Sequence, residues 1–122
     1  MDGIEIKRLE SSDVGIDWWT PELYEDVYFE VRMEIGETTS DLAEAFTVRI
    51  ATPEGLRKHG TGPVLAERAT IIVADYSPRL LRKTLEGIVR KCRGHSWTQS
   101  VDKLNRYFRQ EKEHERLQVF EG

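Results

Sequence analysis

Val27, Phe29, Val31, Met33 and Ile35 alternate with Tyr28, Glu30, Arg32 and Glu34. Period-two alternation places the first set on one face of a strand and the second on the other. Gly36 ends the run, and Glu37-Thr38-Thr39-Ser40-Asp41 is turn-like. Phe46, Val48 and Ile50 then alternate with Thr47, Arg49 and Ala51, which predicts a second half-buried strand. Upstream, Ile4-Glu5-Ile6-Lys7-Arg8-Leu9 predicts a short first strand, followed by a loop at Ser11-Ser12-Asp13-Val14-Gly15 and an irregular aromatic segment at Trp18-Trp19-Thr20-Pro21. Residues 69–74, rich in β-branched side chains (Thr70, Ile71, Ile72, Val73), read as a buried strand.

Three helices punctuate and end the chain. Thr52-Pro53 offers a threonine cap with proline at the first helical position, and Gly60-Thr61-Gly62-Pro63 closes that helix. Ser77-Pro78 repeats the signal. Behind it, Leu80, Leu81, Leu85, Ile88, Val89 and Cys92 form an apolar face at helical spacing. Arg79, Arg82, Lys83, Arg90 and Arg93 lie opposite, and Gly94 stops the helix. Ser96 with Gln99 is a capping-box pattern. It starts a helix whose stripe of Trp97, Val101, Leu104 and Phe108 is expected in the core. Past Gln110 the polar tail reads as a frayed helical extension. Strands first and helices last predict an α+β fold: an antiparallel sheet of about four strands with two C-terminal helices packed on one face.

Length and composition narrow this further. At 122 residues, 39% hydrophobic and 33% charged, the chain is expected to be one soluble domain over 1–122. No apolar run approaches the roughly 18 residues of a membrane span. The start lacks the basic and apolar regions of a signal peptide. A lone cysteine excludes an internal disulfide, so a reducing cytoplasm is the default. The net charge of −4 hides a polarity. Residues 1–46 hold 13 acidic and 3 basic side chains, a balance of −10; residues 79–109 hold 9 basic and 2 acidic, a balance of +7. Such asymmetry speaks of partners and encounter rates rather than of fold.

The search for chemistry gives little. His59, His95 and His114 are not spaced as a ligand pair, so no metal or cofactor is expected. Cys92 and His95 are three apart, but Cys92 continues the apolar face and Gly94 intervenes, so a buried, inert thiol is expected. Gly60-Thr61-Gly62 is too short for a phosphate loop, and no nucleophile elbow exists. An enzyme is therefore not expected. The basic helix at 79–93 leaves a nucleic-acid-binding module as an alternative, although no aromatic side chain interleaves with its cations. The first half is more suggestive. Trp18, Trp19, Tyr24 and Tyr28 stand among Asp17, Glu22, Glu25, Asp26, Glu30 and Glu34. Aromatic anchors within steering charge are the make-up of a protein interface, though one tryptophan also suits a place in the core.

The order of segments resembles the immunity protein 8 family of bacterial toxin-neutralising proteins. The resemblance lies in Asp26-Val27-Tyr28-Phe29-Glu30-Val31-Arg32-Met33-Glu34-Ile35-Gly36 and in Phe46-Thr47-Val48-Arg49-Ile50-Ala51-Thr52-Pro53-Glu54-Gly55-Leu56. It continues in Ile71-Ile72-Val73-Ala74-Asp75-Tyr76 and in Trp97-Thr98-Gln99-Ser100-Val101-Asp102-Lys103-Leu104-Asn105-Arg106-Tyr107-Phe108. These pieces mark fold positions rather than a catalytic set. The resemblance implies a cytoplasmic protein that binds the C-terminal domain of a cognate toxin from a polymorphic or contact-dependent inhibition system, in a 1:1 or 2:2 complex. A homodimer thus stays open. For a basic nuclease toxin, the acidic half is the side that attracts it. That reading selects Glu22, Glu25, Asp26, Glu37, Asp41 and Glu44 for charge, and Trp18, Trp19 and Tyr24 as anchors.

Overall fold

The computed structural model describes residues 3–11, 26–59, 69–74 and 76–111. The elements run β1 (Ile4–Glu10), β2 (Tyr28–Glu37), β3 (Glu44–Ala51), α1 (Pro53–His59), β4 (Thr70–Ile72), α2 (Pro78–Lys91), α3 (Trp97–Leu104) and β5 (Arg109–Gln110). The expected loop at 11–15, the aromatic segment at 18–21, the glycine-rich close of α1 and the tail beyond Glu111 lie wholly or mostly outside the described residues.

The hairpin β2–β3 is the spine. Val31 faces Val48 and Met33 faces Phe46 across it, and all four are buried. β1 joins the free side of β2 antiparallel, with a bulge between Ile6 and Arg8. The outer edge of β3 is shared by two short strands. β5 pairs antiparallel at Phe46 and Thr47, and β4 pairs parallel at residues 49–51. The antiparallel sheet read from the alternation is therefore present, with one parallel strand added. Parallel pairing requires a crossover between the two strands, and α1 lies within it.

α2 and α3 cover one face of the sheet. Leu81, Leu85, Val89, Cys92, Leu104 and Phe108 pack there against Phe29, Val31, Met33, Ile35, Phe46, Val48 and Ile50. The opposite face is a lattice of charges. Arg32 donates to Glu111 at 2.9 Å, Glu10 at 3.2 Å and Glu34 at 3.3 Å. The bond to Glu111 does most to raise the Arg32 guanidinium above its ordinary range. Arg49 pairs with Glu30 at 3.6 Å and lies 4.5 Å above the Tyr28 ring.

Two expectations change. The strand read over residues 69–74 as buried is a three-residue edge strand, with Ile72 half exposed. β-branched content signals a strand, and only pairing decides whether it lies inside or at an edge. Leu80, assigned to the buried face of α2, is 61% exposed. Leu81, Leu85 and Val89 fill that stripe instead. The cap signals are realised: Ser77 Oγ accepts from Leu80 N, and Ser96 Oγ from Gln99 N.

Thr52 joins two elements. Its hydroxyl accepts from Gly55 N at 3.1 Å, capping α1, and from Val27 N at 2.9 Å, tying the start of β2 to the end of β3. A Cβ on Gly55 would lie 2.0 Å from the Val27 carbonyl oxygen. Glycine is what allows this approach.

Candidate functional site

Among the described residues of the first half, most carboxylates are neutralised within the fold. Glu5 pairs with Lys7, Glu10 and Glu34 with Arg8 and Arg32, Glu30 with Arg49, and Asp26 with Lys58 at 2.7 Å. Among the described residues, Glu37, Asp41 and Glu44 have no cationic partner. All three sit where β2 turns into β3. Among the described residues of the first half, the carboxylates left without a cation are therefore concentrated by folding at one end of the sheet.

The turn there is built by close packing. A Cβ on Gly36 would lie 2.2 Å from the Leu42 carbonyl oxygen, so only glycine lets the loop fold back over the strand. Ser40 Oγ accepts from Leu42 N at 3.1 Å, and Thr38 N donates to Gly3 O at 2.9 Å, fastening the loop to the start of β1. The result leaves Leu42 81% exposed. Beside it runs a cleft of about 410 Å³ lined by Gly36, Glu37, Ser40, Leu42, Glu44 and Trp97.

Trp97 comes from the first turn of α3. Its indole Nε1 donates to Glu44 Oε1 at 3.3 Å. The second carboxylate oxygen accepts from Gln110 Nε2, and Asn105 Nδ2 donates to Gln110 Oε1 at 3.1 Å. Glu44 is thereby fixed in orientation. The cleft offers an apolar wall, a pinned carboxylate and a second acid, Glu37, with Asp41 in the same turn. That is equipment for gripping a basic, partly apolar surface.

Of the residues selected from sequence, the structure brings Glu37, Asp41 and Glu44 together. Asp26 lies at the other end of β2, about 30 Å away at the usual rise per residue, paired with Lys58 beside α1. Trp18, Trp19, Glu22, Tyr24 and Glu25 lie outside the described residues. Leu42 and Trp97, which give the cleft its large apolar surfaces, were not selected. Leu42 is an isolated apolar residue in a polar turn, a weak signal. Trp97 was read as core from its helical spacing, but it is half buried and forms the cleft wall, whereas Leu104 and Phe108 of the same stripe are fully buried.

Cys92 is 1% exposed and burial pushes its thiol up, whereas His95 is exposed. The two do not form a reactive pair. Among the described residues no group of histidine, cysteine and carboxylate side chains could hold a metal ion, and no helix is long and apolar enough to cross a membrane.

An α+β fold with an acidic, apolar-edged cleft whose carboxylates lack a cationic partner among the described residues has the make-up of a binding protein. The profile of the family described as immunity protein 8 matches residues 4–114, nearly the whole chain, and the chain belongs to that family. Membership makes it an immunity protein, one that acts against a toxin. Neither the curated proteins nor the solved structures include a match.

Proposed function

We propose that the chain neutralises a nuclease-type toxin domain, the C-terminal domain of a polymorphic or contact-dependent inhibition toxin, in the cytoplasm, and that it does so by covering the toxin's active site. The observation that carries this is the cluster of Glu37, Asp41 and Glu44, uncompensated among the described residues and set around exposed Leu42. A nuclease cleft is built to receive a polyanion. Carboxylates clustered on the hairpin, Glu44 among them held by Trp97 and Gln110, present similar charge to it, while Leu42 and Trp97 supply apolar contact. Opposite charge also speeds encounter, which matters when one free toxin molecule does harm. The role needs no catalytic set and no cofactor.

The alternative, a nucleic-acid-binding module on α2, has less support, because no aromatic side chain belongs to that helix and its exposed apolar residue is Leu80. The test is co-expression with the toxin encoded beside this protein. Growth should be rescued and the two should co-purify. Soluble protein that neither rescues growth nor binds the toxin overturns the reading.

A further inference from the structure

A second surface lies at the other end of β3. Between the ends of β3 and β4 and the first turns of α2 runs a groove of about 360 Å³, floored by Ile50, Val73, Tyr76, Leu80 and Leu81. Exposed Leu80 stands at its edge, and exposed Arg79 and Lys83 lie on the adjoining side of α2, in a separate depression that they share with Arg82 and Glu86. These cations occupy the opening turns of a helix that has no acidic residue in its first turn. There they oppose the helix dipole, so helix stability does not account for them. Gly87 extends the same side of α2 two turns on from Leu80, and a Cβ there would meet nothing. The described fold therefore does not require glycine at that position, and its bare backbone leaves that side of α2 open to a close approach.

Leu42 and Leu80 are the two most exposed large hydrophobic residues described, and they carry opposite surroundings. Leu42 projects among Glu37, Asp41 and Glu44. Leu80 borders an apolar groove beside Arg79 and Lys83. We propose that the acidic hairpin of one chain seats on the apolar groove and the adjoining basic side of α2 of a second copy, with Leu42 over the apolar floor and Asp41 and Glu37 facing Arg79 and Lys83. Hairpin and groove sit at opposite ends of β3, roughly 23 Å apart along the strand. Two chains side by side and antiparallel therefore make both contacts at once, and a two-fold arrangement closes the assembly at two. A toxin that takes the hairpin would compete with this pairing, but the pairing rests on the hairpin's chemistry and not on the toxin reading.

The test uses the full chain alone. Sedimentation from about 5 µM to about 500 µM should show the mass rise from one chain toward two, with the rise suppressed at high salt. Glu37→Lys with Asp41→Lys, or Arg79→Glu with Lys83→Glu, should each weaken self-association at least about tenfold. Mixing the two variants should restore it, because every contact in the mixed dimer again joins opposite charges. Leu42→Ala should weaken it without changing charge, and circular dichroism melting identifies any variant that fails to fold. A chain that stays monomeric throughout overturns the proposal, as does a mixture that is not restored. A mass that climbs past two overturns the two-fold closure. A monomer that shifts a single-stranded RNA oligonucleotide through Arg79 and Lys83 assigns the groove to nucleic acid instead.

Discussion

Thr52 and Gly55 show how much a short motif can carry. The cap role of Thr52 was legible from the proline that follows it. Its bond to Val27 was not, because that partner is 25 residues away. Nor does the sequence say that Gly55 must lie against a carbonyl. Gly55→Ala forces its new methyl against the Val27 backbone, which cannot move without breaking the start of β2. It should cost about 1–3 kcal/mol or more, read as a lowered midpoint in urea with an unchanged slope. Cys92 gives a second test at this scale. The folded chain holds the thiol proton to higher pH than the unfolded chain, because burial disfavours the thiolate. Its contribution to stability is complete below the ordinary thiol range near ~8.5 and is lost as pH rises from there through the raised value of the folded chain. A disulfide reagent at pH 8 should leave native protein unmodified and label Cys92 once denaturant unfolds it; rapid labelling of native protein would contradict the burial.

At the scale of elements, hydrophobic period located every long strand and helix, and it misjudged depth. The stripe Trp97, Val101, Leu104 and Phe108 is regular, yet α3 ends at Leu104 and only the last two residues are fully enclosed. Spacing fixes which side of a helix faces inward; it does not fix how far the sheet reaches under each turn. Phe108→Ala should therefore cost about 3–5 kcal/mol, and Trp97→Ala distinctly less in the same melting series. Equal losses would place Trp97 in the core after all. The two-residue strand β5 and the edge position of β4 were not legible, since both depend on which part of β3 is left uncovered. α2 supplies a prediction of the opposite sign. A Cβ at Gly87 meets no atom of the fold, and glycine in a helix interior is unfavourable. Gly87→Ala should stabilise the chain by about 0.5–1 kcal/mol, seen as a raised melting temperature.

For the whole molecule, the charge count pointed to the acidic half but not to the place within it. Among the described residues, folding pairs Glu5, Glu10, Glu30, Glu34 and Asp26 with cations of the sheet and of α1, and leaves Glu37, Asp41 and Glu44 at one tip. Pairing across a sheet cannot be read from a tally, because it depends on register. This arrangement makes a kinetic prediction for toxin capture. Glu37 and Asp41 stand at the rim, where charge acts on encounter more than on residence. Reversing both to lysine should slow association by about tenfold or more at low salt and flatten its salt dependence, with dissociation little changed. Leu42→Ala should do the reverse: association stays near that of the unaltered chain while dissociation speeds, at a cost of about 2 kcal/mol or more if Leu42 is an anchor. Surface plasmon resonance with the adjacent toxin separates the two rates. Should reversal of Arg79 and Lys83 abolish binding while the hairpin variants bind normally, the toxin is held by α2, and the acidic tip serves the contact between copies alone.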